Sequence, residues 1–290
     1  MKTKLLFYAN KFKVILRQNL SLTITTMTLV SLFIFAFVVP LFSNYDPRRW
    51  GTAPSDLPPS LAHPFGTNSL GQDIFWLLAY ALRNSLISSL IASFVGLVIG
   101  IVLGVVAGYS GGLIEKIILF FVDTVIMLPS LPIIIIISSM LGTLDMVVLG
   151  LIIAFLTWGM PVRNIRSMVL SLREREFTYT ALFSGSNFMK ILLYEYLPHL
   201  VPWIFASFLG RILLAIGMEV TLGIFGLLSM REVTLGTVIY WANRYQAIFR
   251  GLWWWIGLPI VFIVILLISL YVFSTEINEL MNPRKVQENV

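Results

Sequence analysis

Long apolar stretches separated by short polar ones dominate the sequence. Runs long enough to cross a bilayer as helices occupy about residues 20–42, 85–109, 113–140, 146–161, 200–228 and 252–273. Pro129 and Pro132 lie inside the third run, so we expect a kink near its middle. The pattern predicts an all-α polytopic membrane protein with six transmembrane helices.

Composition supports the same fold class. Hydrophobic residues make up 58% of the chain and charged residues 12%, whereas a soluble globular domain has about 25% charged residues. The formal net charge of +6 is better explained by basic residues that hold loops in the cytoplasm than by nucleic acid binding. The absence of Cys excludes disulfides and thiol catalysis, and the two His residues lack clustered partners for a metal site.

The distribution of basic residues predicts the orientation. With the amino terminus inside, the inner segments hold thirteen Lys and Arg and the outer segments six, a bias that places both termini in the cytoplasm. Residues 1–19 are then a cytoplasmic amphipathic segment, 20–42 the first transmembrane helix and 43–82 an extracellular loop. The main transmembrane domain is 83–274, and 275–290 form a cytoplasmic tail.

One polar segment interrupts the second half of the chain. Residues 172–198 carry several charges between two apolar runs, and their periodicity predicts two short helices joined by a turn. Gly185 suits the C′ position of the first helix, and Ser186 or Asn187 can cap the second. The segment also has a face at helical spacing that is predicted to contact a soluble partner: Phe177, Thr180, Ala181 and Phe188.

Three charged residues fall inside the predicted helices: Asp123, Arg211 and Glu219. Charges in a bilayer are costly and are therefore usually paired or functional. Asp123 and Arg211 lie at equal depth, about ten residues from the inner ends or roughly 15 Å, so we predict a pair between them if their helices are neighbours. Two interpretations stay open: the charges satisfy packing, or they line a path for a polar solute.

A stripe of glycines marks the second apolar run. Gly96, Gly100, Gly104 and Gly108 recur every four residues, a spacing that lets another helix approach closely. That helix belongs either to this chain or to another subunit. The sequence Ser110-Gly111-Gly112 then predicts a tight turn.

The sequence lacks the phosphate-loop and zinc-protease motifs of common enzymes. It contains no GxxxxGK[ST] phosphate loop, no HExxH and no clustered pair of carboxylates. Binding of a nucleotide in a phosphate loop is therefore excluded. Beside a transporter subunit, two other classes stay open: a self-contained ion-coupled carrier, which would show inverted repeats, and a membrane enzyme or scaffold.

Several motifs in a fixed order resemble one known family. The most specific is HPFGTNSLGQD at His63–Asp73, close to that family's HPFGTDxLGRD, with identical residues at His63, Pro64, Phe65, Gly66, Thr67, Gly71 and Asp73. Similar runs follow: AGYSGG at Ala107–Gly112, SLREREF at Ser171–Phe177, LGIFGL after Glu219, and MNPR at Met281–Arg284. Over nearly its whole length the chain resembles the second permease subunit of oligopeptide, dipeptide and nickel-type ABC importers.

This resemblance implies a type I ABC importer transmembrane domain that forms half of a translocation path and binds no cofactor itself. ATP and Mg²⁺ would bind to partner subunits. The implied partners are a sister permease in a heterodimer, two ABC ATPase subunits and an extracellular solute-binding protein, in a prokaryotic plasma membrane. Peptides are the expected solute, with oligosaccharides or a nickel chelate as alternatives.

The resemblance also assigns a role to residues 172–198, the family's EAA coupling segment. The residues implied in contact with an ATPase are Arg175, Glu176, Phe177, Ala181, Gly185 and Phe188. The segment departs from the family at its centre, where YTALFSGS at Tyr179–Ser186 stands in place of EAARALGA. This departure leaves the expected fold unchanged and leaves open which ATPases are the partners and which solute is carried.

Overall fold

A computed structural model describes residues 19–42, 45–141 and 144–281 of the chain. Within these ranges the protein is helical, which confirms the all-α prediction, and the only β-type pairing is an isolated bridge between Thr67 and Asp73. The predicted amphipathic segment up to residue 18 and most of the MNPR motif lie outside the described residues.

The first two apolar runs form long helices. Helix α1 is Leu20–Phe37, followed by a 3₁₀ turn at Val39–Phe42. Helix α2 is Ile74–Ser110 and runs unbroken for 37 residues. It therefore begins eleven residues before the predicted run, inside the stretch predicted as extracellular loop, because no Gly or Pro interrupts the sequence between Ile74 and Ser85.

The third and fourth runs are broken rather than continuous. Helices α3, Gly112–Met127, and α4, Ser130–Leu141, are bent by 78°, and α5, Met146–Thr157, and α6, Gly159–Arg173, are bent by 48°. Pro129 explains the first break, because it holds the preceding Leu128 in an extended conformation. The predicted kink is thus a full interruption of the helix.

The remaining helices complete the chain. The polar segment forms α7, Glu176–Phe183, and α8, Phe188–Ile191, and a π-helical turn at Leu192–Tyr196 leads into α9, Leu197–Ile224. Helix α10, Leu235–Arg244, lies between the last two predicted apolar runs, and α11 is Trp253–Met281, so the predicted tail begins inside a helix. With each bent pair counted as one span, up to six described segments are long and apolar enough to cross a membrane.

The described residues fall into two compact units. Residues up to Arg83 and from Trp241 onwards form the first unit, in which α1 packs along α11. Asn84–Tyr240 form the second unit, in which α3 packs against α6 and α5 against α9. The second unit contains all three of the charged residues predicted inside helices.

The glycine stripe of α2 packs against α6 of the same chain. A Cβ on Gly100, Gly104 or Gly108 would lie 2.3–2.8 Å from the nearest side-chain carbon of α6. The residues of α6 that these glycines face are Pro161, Ile165 and Val169. Gly96, the fourth glycine of the stripe, instead faces Arg211 of α9, because a Cβ there would lie 2.0 Å from Nη2 of that arginine. This contact favours packing within the chain over an interface with another subunit.

Candidate functional site

The HPFGTNSLGQD segment joins the loop before α2 to the start of that helix. Asp73 caps α2, since its Oδ1 accepts the Phe75 backbone N–H at 2.9 Å, while its Oδ2 lies 2.7 Å from Nδ1 of His63. Burial, together with the nearby Asp73 carboxylate, raises the pKa of the Tyr45 hydroxyl above its usual value.

The middle of the same segment is held by α11. The indole N–H of Trp254 donates to the Thr67 carbonyl at 3.1 Å, and Thr67 is fully buried. Gly66 has a φ of +75°, and a Cβ there would lie 2.8 Å from the Trp254 indole nitrogen. Phe65 packs in a cluster of rings with Phe35, Phe75 and Phe262. In the described structure, the segment therefore secures the loop against the ends of its neighbouring helices.

The α7–α8 hairpin has the turn that its sequence predicts. Gly185 has a φ of +73°, and the backbone N–H of Ser186 donates to the Ala181 carbonyl at 3.0 Å, which is the Schellman pattern. The side chain of Asn187 accepts the Lys190 N–H at 2.9 Å and caps α8. Of the two predicted caps, Asn187 is therefore the one used.

The hairpin presents a different apolar face from the predicted one. Phe177, Ala181 and Phe188 are half-buried against the chain's own core, a cluster formed by Val105, Ile165, Val169, Ile191, Tyr196 and Leu200. The exposed apolar side chains of the hairpin are instead Tyr179, Leu182, Phe183 and Met189, and Phe183 is 90% exposed. Arg175 and Glu176 are also exposed. A partner protein that binds the hairpin would therefore contact these exposed side chains rather than Phe177, Ala181 and Phe188.

The predicted pair between Asp123 and Arg211 is wrong. Asp123 Oδ1 accepts instead from Nη2 of Arg163 at 2.6 Å. The reason is that α3 packs along α6 rather than along α9. A second ion pair, between Glu115 and Arg166, joins the same two helices.

Arg211 lies at the edge of a cavity beside the breaks of both bent helix pairs. Its Nη1 and Nη2 donate to the carbonyl and the hydroxyl of Thr157, each at 2.9 Å. The cavity has a volume of about 400 Å³, within the usual range for small-molecule sites. Its polar lining consists of Ser130, Thr157, Asn164, Ser207 and Arg211.

Glu219 is enclosed by packing instead. It is fully buried, and its carboxyl group lies near the hydroxyls of Ser85 and Thr234 and the backbone N–H of Gly236. None of these contacts within the described ranges has the geometry of a good hydrogen bond. Because Gly236 lies in the first turn of α10, the carboxyl group faces the positive end of that helix.

Sequence reasoning missed the residues that surround these charges. The break between α5 and α6 had a usable signal, since a proline such as Pro161 is tolerated in the first turn of a helix and so suggests a helix start nearby. Helix α10 also had one, because Thr234 precedes the apolar run Leu235–Ala242 in the manner of an N-cap. No local signal identifies Arg163 as the partner of Asp123.

Comparison with known proteins identifies the family. The profile described as "Binding-protein-dependent transport system inner membrane component" matches residues 100–287, which is more than half of the chain. The matched range contains α3 to α11 and therefore the hairpin, the cavity and Glu219.

Curated relatives match over most of their length. The chain is 27% identical over 259 residues to the dipeptide transport system permease protein DppC of Bacillus subtilis, which covers 88% of this chain and 79% of that protein. It is 28% identical over 266 residues to the oligopeptide transport system permease protein OppC of Lactococcus lactis subsp. cremoris, covering 89% and 88%. On the strength of the family profile, the chain belongs to the binding-protein-dependent transport system inner membrane components.

Proposed function

We propose that this multi-pass membrane protein is the permease subunit of an ATP-driven ABC importer that carries dipeptides or oligopeptides. It forms half of the translocation path, and a sister permease forms the other half. Two ABC ATPase subunits bind ATP and Mg²⁺, and an extracellular solute-binding protein delivers the cargo. Peptides are favoured over oligosaccharides and nickel chelates because the similar relatives are named for dipeptide and oligopeptide transport.

The observation that carries the coupling part of this proposal is the exposed apolar face of the α7–α8 hairpin. Four large apolar side chains are exposed on this polar segment: Tyr179, Leu182, Phe183 and Met189. Such a face suits a groove on a soluble partner, into which a short helix can insert its apolar side chains. We assign that groove to an ATPase subunit, with the hairpin and both termini in the cytoplasm.

The half-buried side of the hairpin supports transmission of movement. Phe188 lies 4.2 Å, centroid to centroid, from the ring of Tyr109 at the end of α2, and Phe177 stacks on His199 of α9 at 5.6 Å. A hairpin that is packed in this way moves together with the helices around it, because well-packed cores are poorly compressible. Phe177, Ala181 and Phe188 thus hold the hairpin to the membrane helices, while the exposed side chains contact the ATPase.

The variant Phe183→Asp tests the coupling role. A charge in place of the most exposed ring of the hairpin should reduce ATPase co-purification and peptide uptake by about tenfold or more, since central apolar anchors commonly contribute over 1 kcal/mol to an interface. Both are measured on the complex, as subunit stoichiometry and as ATP-dependent uptake into proteoliposomes.

The neighbouring variant Ser184→Asp is the matched control, because it adds the same charge at an exposed position without removing an apolar side chain. Co-purification and uptake that are unchanged in Phe183→Asp would contradict the docking role. Uptake by the two permeases without ATPases, driven by a proton gradient, would favour the ion-coupled carrier instead.

A further inference from the structure

Arg211 carries a positive charge that no acidic residue of the described ranges neutralises. Its two hydrogen bonds go to neutral groups of Thr157, and no carboxylate oxygen of the described residues lies within 4.0 Å of it. Its Nε atom is buried and out of reach of a ligand, but Nη1 and Nη2 each carry a second N–H beside the one donated to Thr157. A cation within a membrane-spanning segment is costly unless something pairs with it, so a negative ligand is the missing element.

The space beside Arg211 can hold such a ligand. The cavity of about 400 Å³ is large enough for a short peptide segment or a similar small molecule. One wall is a face of α9 formed by Ser207, Gly210, Leu214 and Met218. Gly210 has no other part of the described structure within 4 Å of where its Cβ would be, so this wall is open rather than filled by packing.

The helix breaks add to the positive character of the cavity. Ser130 and Gly159 line it, and they are the first residues of α4 and α6, which are 12 and 15 residues long. Free backbone N–H groups at helix N-termini attract anions. The last carbonyl of α5, at Thr157, accepts a hydrogen bond from Arg211, which offsets the negative end of that helix. Interrupted helices whose N-termini face a cavity suit an anionic group of a transported solute.

We infer that this cavity binds a carboxylate of the cargo, with Arg211 as the residue that recognises it. For the peptide cargo of the proposed function, on which this inference rests, the group is the carboxy-terminal carboxylate. Every linear peptide with a free carboxyl end carries this group whatever its sequence. The apolar lining from Leu156, Leu214 and Met218 leaves the side chains of the cargo loosely specified. The site therefore binds the carboxy-terminal carboxylate and accepts peptides of different sequence.

The test compares two forms of one probe in the complete complex. Proteoliposomes that contain both permeases and both ATPases, with the binding protein added, are supplied with labelled trialanine or with trialanine amide. We expect Arg211→Gln to lower the ratio of free-acid uptake to amide uptake by about tenfold, because a charge-assisted hydrogen bond contributes on the order of a tenfold preference. The binding protein is the same in both assays, so its own preference cancels when the two permeases are compared.

Two further variants keep the test decisive. Asn164→Asp places a fixed carboxylate among the cavity residues while Arg211 is kept, and it should lower the same ratio by competing with the cargo. It nearly preserves the shape of the side chain, so it decides the question if Arg211→Gln does not assemble. Arg231→Gln removes a charge at an exposed position outside the cavity and should leave the ratio unchanged.

The outcomes separate this inference from the proposed function. A ratio that stays at the wild-type value in both cavity variants, while uptake continues, would overturn the carboxylate site and leave peptide transport intact. Failure of the wild-type complex to take up either form of trialanine would count against peptide transport itself, and with it the inference.

Discussion

Arg211 and Glu219 lie about two turns apart on α9, yet their surroundings are opposite. Glu219 is fully buried, and the neighbouring backbones approach so closely that a Cβ on Gly223 would lie 2.6 Å from the Cα of Gly236. Arg211 packs closely against Gly96 on one side, where a Cβ would lie 2.0 Å from its Nη2, but it borders a cavity, and a Cβ on Gly217, between the two charges, would meet nothing within 4 Å in the described structure. One helix thus has a closed end and an open end.

The difference shows that a charge inside a predicted membrane helix does not have a single meaning. Both residues give the same signal in the sequence, a costly charge in an apolar run. The carboxyl group of Glu219 is enclosed where α2, α9 and the start of α10 meet, whereas the guanidinium of Arg211 has N–H donors beside the two that bind Thr157. Packing on each side of the residue, rather than residue type, separates a structural charge from a binding charge.

The largest effect on stability is expected where the backbones of α9 and α10 are in contact, at Gly223 and Gly236. Gly223→Ala should lower the free energy of unfolding by about 3 kcal/mol, because the added methyl group meets backbone atoms that cannot rotate away. Gly217→Ala on the same helix should be neutral or stabilise the protein by up to about 1 kcal/mol, since Ala favours helix over Gly and the space is open. Thermal unfolding of the purified complex, followed by tryptophan fluorescence, compares the two. Equal effects of the two variants would remove the distinction between the closed and open ends.

A smaller loss of stability is expected at Glu219. Glu219→Leu should lower the free energy of unfolding by about 2 kcal/mol, because the hydroxyls of Ser85 and Thr234 and the Gly236 N–H lose a polar neighbour in a buried site. Glu219→Gln keeps a carbonyl oxygen there and should lose less. The same unfolding assay applies to Arg211→Gln, for which we expect a smaller loss of about 1 kcal/mol from its hydrogen bonds to Thr157, beside its altered cargo preference. A larger loss of stability for Arg211→Gln than for Glu219→Leu would reverse the comparison.

The smallest effect is expected at the third charge, Asp123. Its ion pair with Arg163 is half-exposed, with side-chain exposures of 45% and 46%. We expect this side of α3 to face water rather than lipid, so removal of the pair should cost only about 0.5 kcal/mol. Asp123→Asn with Arg163→Gln, measured singly and together, gives the interaction energy as a double-mutant cycle. An interaction energy above about 2 kcal/mol would place this pair with the enclosed charges.

Features that depend on nearby residues could be predicted from the sequence. The turn at Gly185 and the cap at Asn187 follow from the residues beside them, and the six apolar runs follow from length and composition. These predictions need no knowledge of which helices are neighbours.

Features that depend on helix neighbours could not be predicted. Asp123 pairs with Arg163 because α3 lies along α6, and no local pattern encodes that contact. Phe177 and Phe188 are at the spacing of an amphipathic face, but which side of the hairpin meets the chain's own core is fixed by Tyr109 and His199. The cavity could not be predicted either, because it forms only where the breaks of α3–α4 and of α5–α6 come together beside α9.

The close packing of the α2 glycines on α6 has a mechanical consequence. Gly100, Gly104 and Gly108 pack directly against the side chains of α6, so we expect the two helices to move as one rigid unit. The hairpin lies at one end of this rigid unit, and the 48° bend near Trp158 lies at the other end, beside Thr157 and the cavity. A displacement of the hairpin would therefore rotate α6 about the 48° bend. Because Thr157 and Arg211 lie beside that bend, the same rotation would weaken the contact of Arg211 with a carboxylate of the cargo.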